Sequence, residues 1–219
     1  MPVLEVNRLA GPGLVDRNRR INFSFNGRQL QGFEGDTLAS ALLANDIKVV
    51  GRSFKYGRPR GVVGHGSEEP NAIVQVGSGA DTIPNLRATQ VEIYEGLEAA
   101  SVGGWPSVDF DLMSIVGWFG RLMPPGFYYK TFMWPARFWM TYEHFIRKAA
   151  GLGSSPQTRD PDSYDKLNHH CDVLVVGAGP AGISAALEAS LTGARVILAD
   201  EQQQLGGSLL AMNSSIGAQ

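Results

Sequence analysis

Six consecutive residues, Gly177-Ala178-Gly179-Pro180-Ala181-Gly182, carry the clearest chemistry in the chain, because glycines at this spacing let a backbone close around a phosphate. They follow an apolar run, Val173-Leu174-Val175-Val176, which predicts a central parallel strand buried on both faces. Gly177 permits a tight turn, Gly179 leaves room for a pyrophosphate beside the backbone, and Gly182 lets the next helix pack close to the strand. The helix, expected from Ala181 to about Thr192, starts at that turn, so its N-terminal N–H groups and partial positive charge serve the phosphates. Gly193 stops it, and Ala194 to Ala199 reads as a second parallel strand. Asp200 ends that strand, roughly 20 residues beyond the glycines, where a carboxylate hydrogen-bonds the adenosine ribose hydroxyls. A carboxylate there repels a 2′-phosphate, so the pattern points to NAD or FAD and away from NADP. Glu201 is a second acidic candidate, Gln202 can help hold the ribose or the adenine edge, and Ser208, after Gly206-Gly207, can bond a phosphate.

No comparable constellation stands elsewhere. His169 and His170 precede Cys171, but no fourth metal ligand is in view, and His65 and His144 are isolated. GxSxG, HExxH and P-loop patterns are absent, so neither a catalytic residue nor a metal site is assigned. The single cysteine excludes a disulfide, a cysteine zinc site and a cysteine-held iron–sulfur cluster within the chain, and fits a reducing compartment. A formal net charge of −2 offers no surface for nucleic acid. The sequence has no secretory leader and no run of roughly 18 apolar residues, which predicts a cytoplasmic protein without a membrane span.

The elements around the turn fall into five stretches. Residues 1–20 read as an extended arm. Residues 21–98 form an α+β unit: Ile21, Phe23 and Phe25 alternate, Asn26-Gly27 signals a hairpin, and a second strand runs from about Arg28 to Phe33. Asp36 or Thr37 then caps a helix whose apolar face holds Leu38, Ala39, Ala41, Leu42 and Leu43. Ile47, Val49 and Val50 suggest a short extended segment. The stretch Gly51 to Gly66 is glycine-rich and basic, with Arg52, Lys55, Arg58 and Arg60 available to meet solvent, a phosphate or an acidic partner. Alternation returns at Ala72 to Val76 and at Thr89 to Tyr94. Hairpin, helix, glycine-rich loop and closing strands resemble the plant-type [2Fe–2S] ferredoxin-like β-grasp fold, here without the cluster cysteines.

Residues 99–153 hold all four tryptophans and are cut by Pro106, Pro124, Pro125 and Pro135, so short helices packed in a core or against an interface are expected in place of one long helix. Residues 154–170 read as a linker, and 171–219 as the start of an α/β Rossmann-type dinucleotide-binding domain. A complete doubly wound domain needs about five or six strands, more than residues 171–219 can supply. The expectation is therefore a truncated portion of a longer protein, inactive as an isolated chain.

Four segments, Gly35–Gly61, Gly66–Gly77, Gly126–Pro135 and Cys171–Gln202, resemble the alpha-subunit family of heterotetrameric sarcosine oxidase. The resemblance implies a complex that oxidises sarcosine to glycine with oxygen as electron acceptor and tetrahydrofolate as one-carbon acceptor. It implies NAD in the dinucleotide domain of this chain, FAD and FMN with the beta subunit or at its interface, and gamma and delta subunits completing the assembly. By position it makes Gly177, Gly179, Ala181, Gly182, Asp200, Glu201, Gln202 and Ser208 the NAD contacts. Two alternatives stay open. One is a component of a related amine or imino-acid dehydrogenase of the opine oxidase, hydroxyproline dehydrogenase or hydrogen cyanide synthase type; the other is a non-catalytic docking module.

Overall fold

The computed structural model describes residues 7–9, 13, 15–112, 114–115, 117–118, 126, 134–202 and 204–211. The chain divides into two compact units, Met1–Pro161 and Asp162–Gln219.

In the first unit, strand β1 (Asp16–Phe25) puts Phe23 and Phe25 on its buried face, as the alternation predicts. The strand starts at Asp16, so it takes in the end of the expected arm; its pairing slips between Asp16 and Arg20. Asn26 and Gly27, with φ of 50° and 74°, form the tight turn that brings β2 (Arg28–Glu34) back antiparallel. Thr37 caps helix α1 (Leu38–Ala44), its hydroxyl accepting the Ser40 N–H at 3.2 Å. Asp36 is buried and tethers the arm, accepting the Phe33 N–H and the Ser40 hydroxyl while pairing with Arg8. The buried face of α1 is Leu38, Ala39, Ala41, Leu42 and Ala44. Leu43, expected on that face, is exposed, because three residues after Ser40 it shares the opposite side.

Strands β5 (Ile73–Val76), β6 (Ile83–Arg87) and β7 (Leu97–Ser101) complete a five-stranded sheet of order β2-β1-β7-β5-β6. β1 and β7 run parallel at its centre, with Phe23 opposite Leu97 and Phe25 opposite Ala99, and the other neighbours are antiparallel. α1 covers one face, and its leucines share one core with Phe23, Phe25, Val74, Val76 and Leu97. Each fully buried large side chain contributes about 1.5–3 kcal/mol.

The alternation at Thr89 to Tyr94 does not make a strand. Its backbone, with that of Ala88 just before it, serves α1 instead: the Val91 and Ala88 carbonyls accept the Leu38 and Ala39 N–H groups at 2.7 and 2.9 Å, satisfying donors that the first helical turn leaves open. β6 lies at the sheet edge, where Pro84 costs no ladder bond to a further strand.

The basic stretch folds into a small antiparallel pair, β3 (Gly51–Arg52) and β4 (Pro59–Arg60). Arg52 is spent internally, donating to the Val108, Gly57 and Asp109 carbonyls, whereas Lys55 and Arg58 stack on the Tyr56 ring. Of the aromatic stretch, helix α2 (Trp139–Ala149) is described, while Gly126–Pro135 lies mostly outside the described residues. In this stretch Trp118 and Trp134 are 83% and 81% exposed and Met140 and Phe145 are exposed as well, whereas Trp139 and Tyr142 are half-buried. No helix among the described residues is long and apolar enough to cross a membrane. Residues 154–170 are exposed throughout and hold no helix or strand.

The second unit is a strand–helix–strand motif. β8 (Val173–Val176) runs parallel to β9 (Val196–Ala199), and helix α3 (Pro180–Leu191) lies between them in sequence. The expectation of a strand buried on both faces is corrected here. Val173 and Val175 are half-buried, but Leu174 and Val176 are 59% and 80% exposed, because α3 covers a single face of the pair.

Candidate dinucleotide-binding site

The site is built from the ends of β8 and β9. Their pairing runs level from Val173 opposite Val196 to Val176 opposite Ala199, and the Gly177 N–H extends it by donating to the Ala199 carbonyl at 2.7 Å. The base of the pair is clipped by Asp172, whose carboxylate accepts the Arg195 backbone N–H at 2.9 Å and both Nε and an outer nitrogen of its guanidinium at 3.0 and 2.8 Å. Strand ends fixed this way present the connecting turn in one place.

Gly177 leaves the strand with φ of +100°, a conformation that a side chain would strain. Two residues later Gly179 caps α3, and its carbonyl accepts the Ile183 N–H at 2.9 Å. Pro180 opens the helix, where its missing N–H costs nothing. Gly182 is forced by close approach: a Cβ there would collide with the Gly177 carbonyl. At Gly179 a Cβ would meet nothing within 4 Å, so that flank of the backbone is open to a ligand.

Ala178 is fully buried and ties three pieces of chain together. Its N–H donates to Asp200 Oδ2, and its carbonyl accepts the Gly206 N–H at 2.8 Å. Asp200 Oδ1 accepts the Gln202 N–H at 2.8 Å. The Ala178 N–H first, and the Gln202 N–H second, hold the Asp200 carboxyl below the usual aspartate range, so it is ionised at neutral pH. A carboxylate has about four lone-pair sites, so two remain for a diol. Gly207 comes close on the other side: a Cβ there would lie 3.0 Å from Gly179 Cα.

The structure thus gathers Gly177, Gly179, Gly182 and Asp200 around one turn, with Ala178, Gly206 and Gly207 as the pieces that lock it. Ala181 stands in the first turn of α3. Glu201 and Gln202 are exposed just past β9, and Ser208 is exposed on the 3₁₀ turn Gly207–Ala211. Ala178 is not legible as a site residue in the sequence because its part is played by backbone atoms; the one signal is its small size between two glycines.

Residues 172–215 match a family described as FAD dependent oxidoreductase, and residues 18–104 match one described as 2Fe-2S iron-sulfur cluster binding domain. The sarcosine oxidase alpha subunit of Rhizobium meliloti (strain 1021) is 57% identical over 210 residues, covering 95% of this chain and 21% of that one. The protein of the same name from Corynebacterium sp. (strain U-96) is 35% identical over 198 residues, covering 89% and 16%. An opine oxidase subunit of Rhizobium meliloti is 49% identical over 51 residues, 23% of this chain and 10% of that one. The chain spans roughly a fifth or less of the length of these relatives. Similar along nearly its whole length to proteins of one name, and carrying both family matches in turn, the chain belongs to the sarcosine oxidase alpha-subunit family.

Proposed function

We propose that the chain supplies the ferredoxin-like domain and the opening of the Rossmann-type, NAD-binding domain of a longer sarcosine oxidase alpha subunit. In this reading the complete heterotetramer, with beta, gamma and delta subunits, oxidises sarcosine to glycine. Oxygen takes the electrons and tetrahydrofolate takes the one-carbon unit. FAD and FMN supply the hydride- and electron-accepting chemistry from the beta subunit or its interface, and no residue of this chain is assigned a catalytic step. The lone Cys171 suits a cytoplasmic setting.

The observation that carries the reading is the Asp200 carboxylate, ionised and fixed beside a glycine turn whose Gly179 flank is open. These residues fit a dinucleotide. Gly179 would present its backbone to the pyrophosphate, with Ala181 and Gly182 at the helix N-terminus beside it. Asp200 would hold the ribose hydroxyls, Glu201 and Gln202 the ribose or adenine edge, and Ser208 a phosphate. The likeness to an FAD dependent family admits FAD on the same turn, and the negative charge of Asp200 disfavours a 2′-phosphate in either case.

The test is purification of the oxidase that contains this segment, with its partner subunits. The nucleotides released on denaturation are identified by mass, and peroxide production is measured with sarcosine, proline and opines. NAD together with sarcosine-dependent peroxide is the expected result. Turnover of opines or proline without sarcosine would move the chain to the opine oxidase type, which the shorter 49% match favours second. The 219-residue chain alone is expected to bind NAD weakly or not at all by calorimetry and to show no oxidase activity.

A further inference from the structure

The loop between α1 and β5 holds a buried charge that the dinucleotide reading does not use. Glu69 is 1% exposed. Its Oε2 accepts the Val63 N–H at 2.8 Å and also the Gly64 N–H, while Oε1 accepts those of Asn71 and Ala72 at 2.8 and 3.1 Å. Next to it, Glu68 Oε1 accepts the His65 and Gly66 N–H groups, each at 3.1 Å. Two carboxylates therefore satisfy six backbone donors of one loop. The loop is closed from outside by Thr89, a buried residue whose hydroxyl donates to the Gly66 carbonyl at 2.8 Å, and by Arg87, whose Nε donates to the Glu69 carbonyl at 3.2 Å.

Converging backbone N–H groups make a nest for an anion, and such nests surround iron–sulfur clusters, whose sulfurs accept hydrogen bonds. Residues 18–104 match a [2Fe–2S]-binding family, and plant-type clusters are held by cysteines at C-x₄-C-x₂-C spacing with a fourth further on. Gly64, Glu69 and Ala72 stand at that spacing in this chain, whose single cysteine is Cys171. A cluster does not fit these residues. No thiolate is present to hold iron, and the donors that would face its sulfurs already face a carboxylate. A Cβ at Gly64 would lie 3.3 Å from Glu69 Cα and 3.2 Å from Glu68 Oε1, so a ligand side chain there would need the loop to give by a few tenths of an ångström.

We propose that the Glu69 carboxylate is an internal anion occupying the nest in which this fold elsewhere holds a cluster, so that the domain carries no electrons and its loop is pinned by charge in place of metal. Burial opposes the charge on Glu69, but the N–H groups of Gly64, Asn71, Val63 and Ala72 outweigh it and hold the carboxyl below the usual glutamate range. Charge-assisted bonds of this kind are about twice as strong as neutral ones. The inference stands on the first unit alone and does not depend on which dinucleotide the second unit takes.

Two measurements on the 219-residue chain test it. The first is anaerobic incubation with ferrous iron, sulfide and a reducing thiol, followed by desalting and assay of iron and acid-labile sulfide. Blank-level iron is expected; a full cluster per chain with visible absorbance would overturn the proposal. The second is amide hydrogen exchange in Glu69→Ala and Glu69→Gln. Exchange at Val63, Gly64, Asn71 and Ala72 should speed by roughly tenfold or more while the β5 amides keep their protection. Formate, which replaces the excised carboxylate, should slow exchange again in Glu69→Ala, or recover folding if that variant is unfolded. Exchange indifferent to formate, or wild-type exchange in a folded Glu69→Gln, would defeat the idea of an internal anion.

Discussion

The two units solve opposite problems. The first closes a core around Phe23, Phe25, Leu38, Leu42 and Leu97, and it does so by pairing strands distant in sequence, β1 beside β7. The second buries only Ala178 and Gly206 among its described residues and leaves Leu174, Val176, Leu187 and Leu191 exposed. Yet the second holds the glycine turn with its fixed Asp200 carboxylate. Its turn is made by hydrogen bonds among Gly177, Ala178, Ala199, Asp200 and Gly206 and by glycine sterics, which need no hydrophobic closure. A binding turn and a core are therefore separable, and the first can be in place where the second is open.

Core substitutions should break this contrast most strongly. Phe23→Ala is expected to destabilise the first unit by about 3–5 kcal/mol, the cost of lost burial and a cavity at a fully buried ring. Val176→Ser on the exposed strand face should change stability by less than about 0.5 kcal/mol. Urea denaturation followed by tryptophan fluorescence and by circular dichroism measures both. Equal costs at the two positions would show that the β8 face is covered in solution.

Next in size is the ion pair that fastens the arm. Arg8 is nearly buried, pairs with a fully buried Asp36, and lies over the Phe33 ring with its guanidinium carbon 5.1 Å from the ring centre. Arg8→Ala leaves the Asp36 charge without its cation and is expected to cost about 3 kcal/mol. Arg8→Ala with Asp36→Ala should recover part of that loss, because no unpaired charge then remains. A double-mutant cycle with no coupling would mean that the arm is not held by this pair.

Within the second unit the corresponding break is steric. Gly182→Val places a side chain against the Gly177 carbonyl, an overpacking expected to cost about 1–3 kcal/mol locally. The first unit should keep its unfolding midpoint. Nucleotide content of the enzyme carrying the substitution should fall to background, and retained nucleotide at wild-type level would show that α3 need not pack so closely.

What could be read from the sequence follows the same division. The β8–turn–α3–β9 motif was legible because its glycines, apolar runs and terminal aspartate each have a local physical cause, and the structure sets α3 at Pro180–Leu191, within a residue or so of expectation. The Asn26-Gly27 hairpin was legible for the same reason. Thr89 to Tyr94 was not: its alternation is real, but its backbone satisfies the start of α1, a long-range assignment that no local pattern contains. β6 and β7 were hidden by weak composition, since Pro84 and the small residues of Leu97–Ser101 carry little strand signal. Burial of Leu174 and Val176 was inferred from their apolar run alone, and an apolar run does not say what covers it. Glu69 is not legible in the sequence, because Gly64-x₄-Glu69-x₂-Ala72 has meaning only beside the cysteines it lacks.

The smallest effect expected is also the one that separates the units by their coupling to pH. Glu69 in the first unit and Asp200 in the second are both held below their ordinary carboxyl ranges, Glu69 because its four N–H partners outweigh burial and Asp200 by the Ala178 N–H first. For each, the unfolded chain binds the proton more readily, so stability is present above the ordinary range and is lost as pH falls through the lower, folded value. Below pH about 4.5 the first unit should therefore lose stability progressively, and Glu69→Gln should flatten that slope at the expense of a lower plateau at neutral pH. Asp200 is tied to a local turn, so its protonation should instead appear as faster exchange of the Ala178 amide, with little change in the midpoint of global unfolding. A pH slope that survives in Glu69→Gln would assign the first unit's acid sensitivity to other carboxylates. An Ala178 amide whose protection follows the global transition would mean that the turn is cooperative with a core after all, and the separation between the two units would fail.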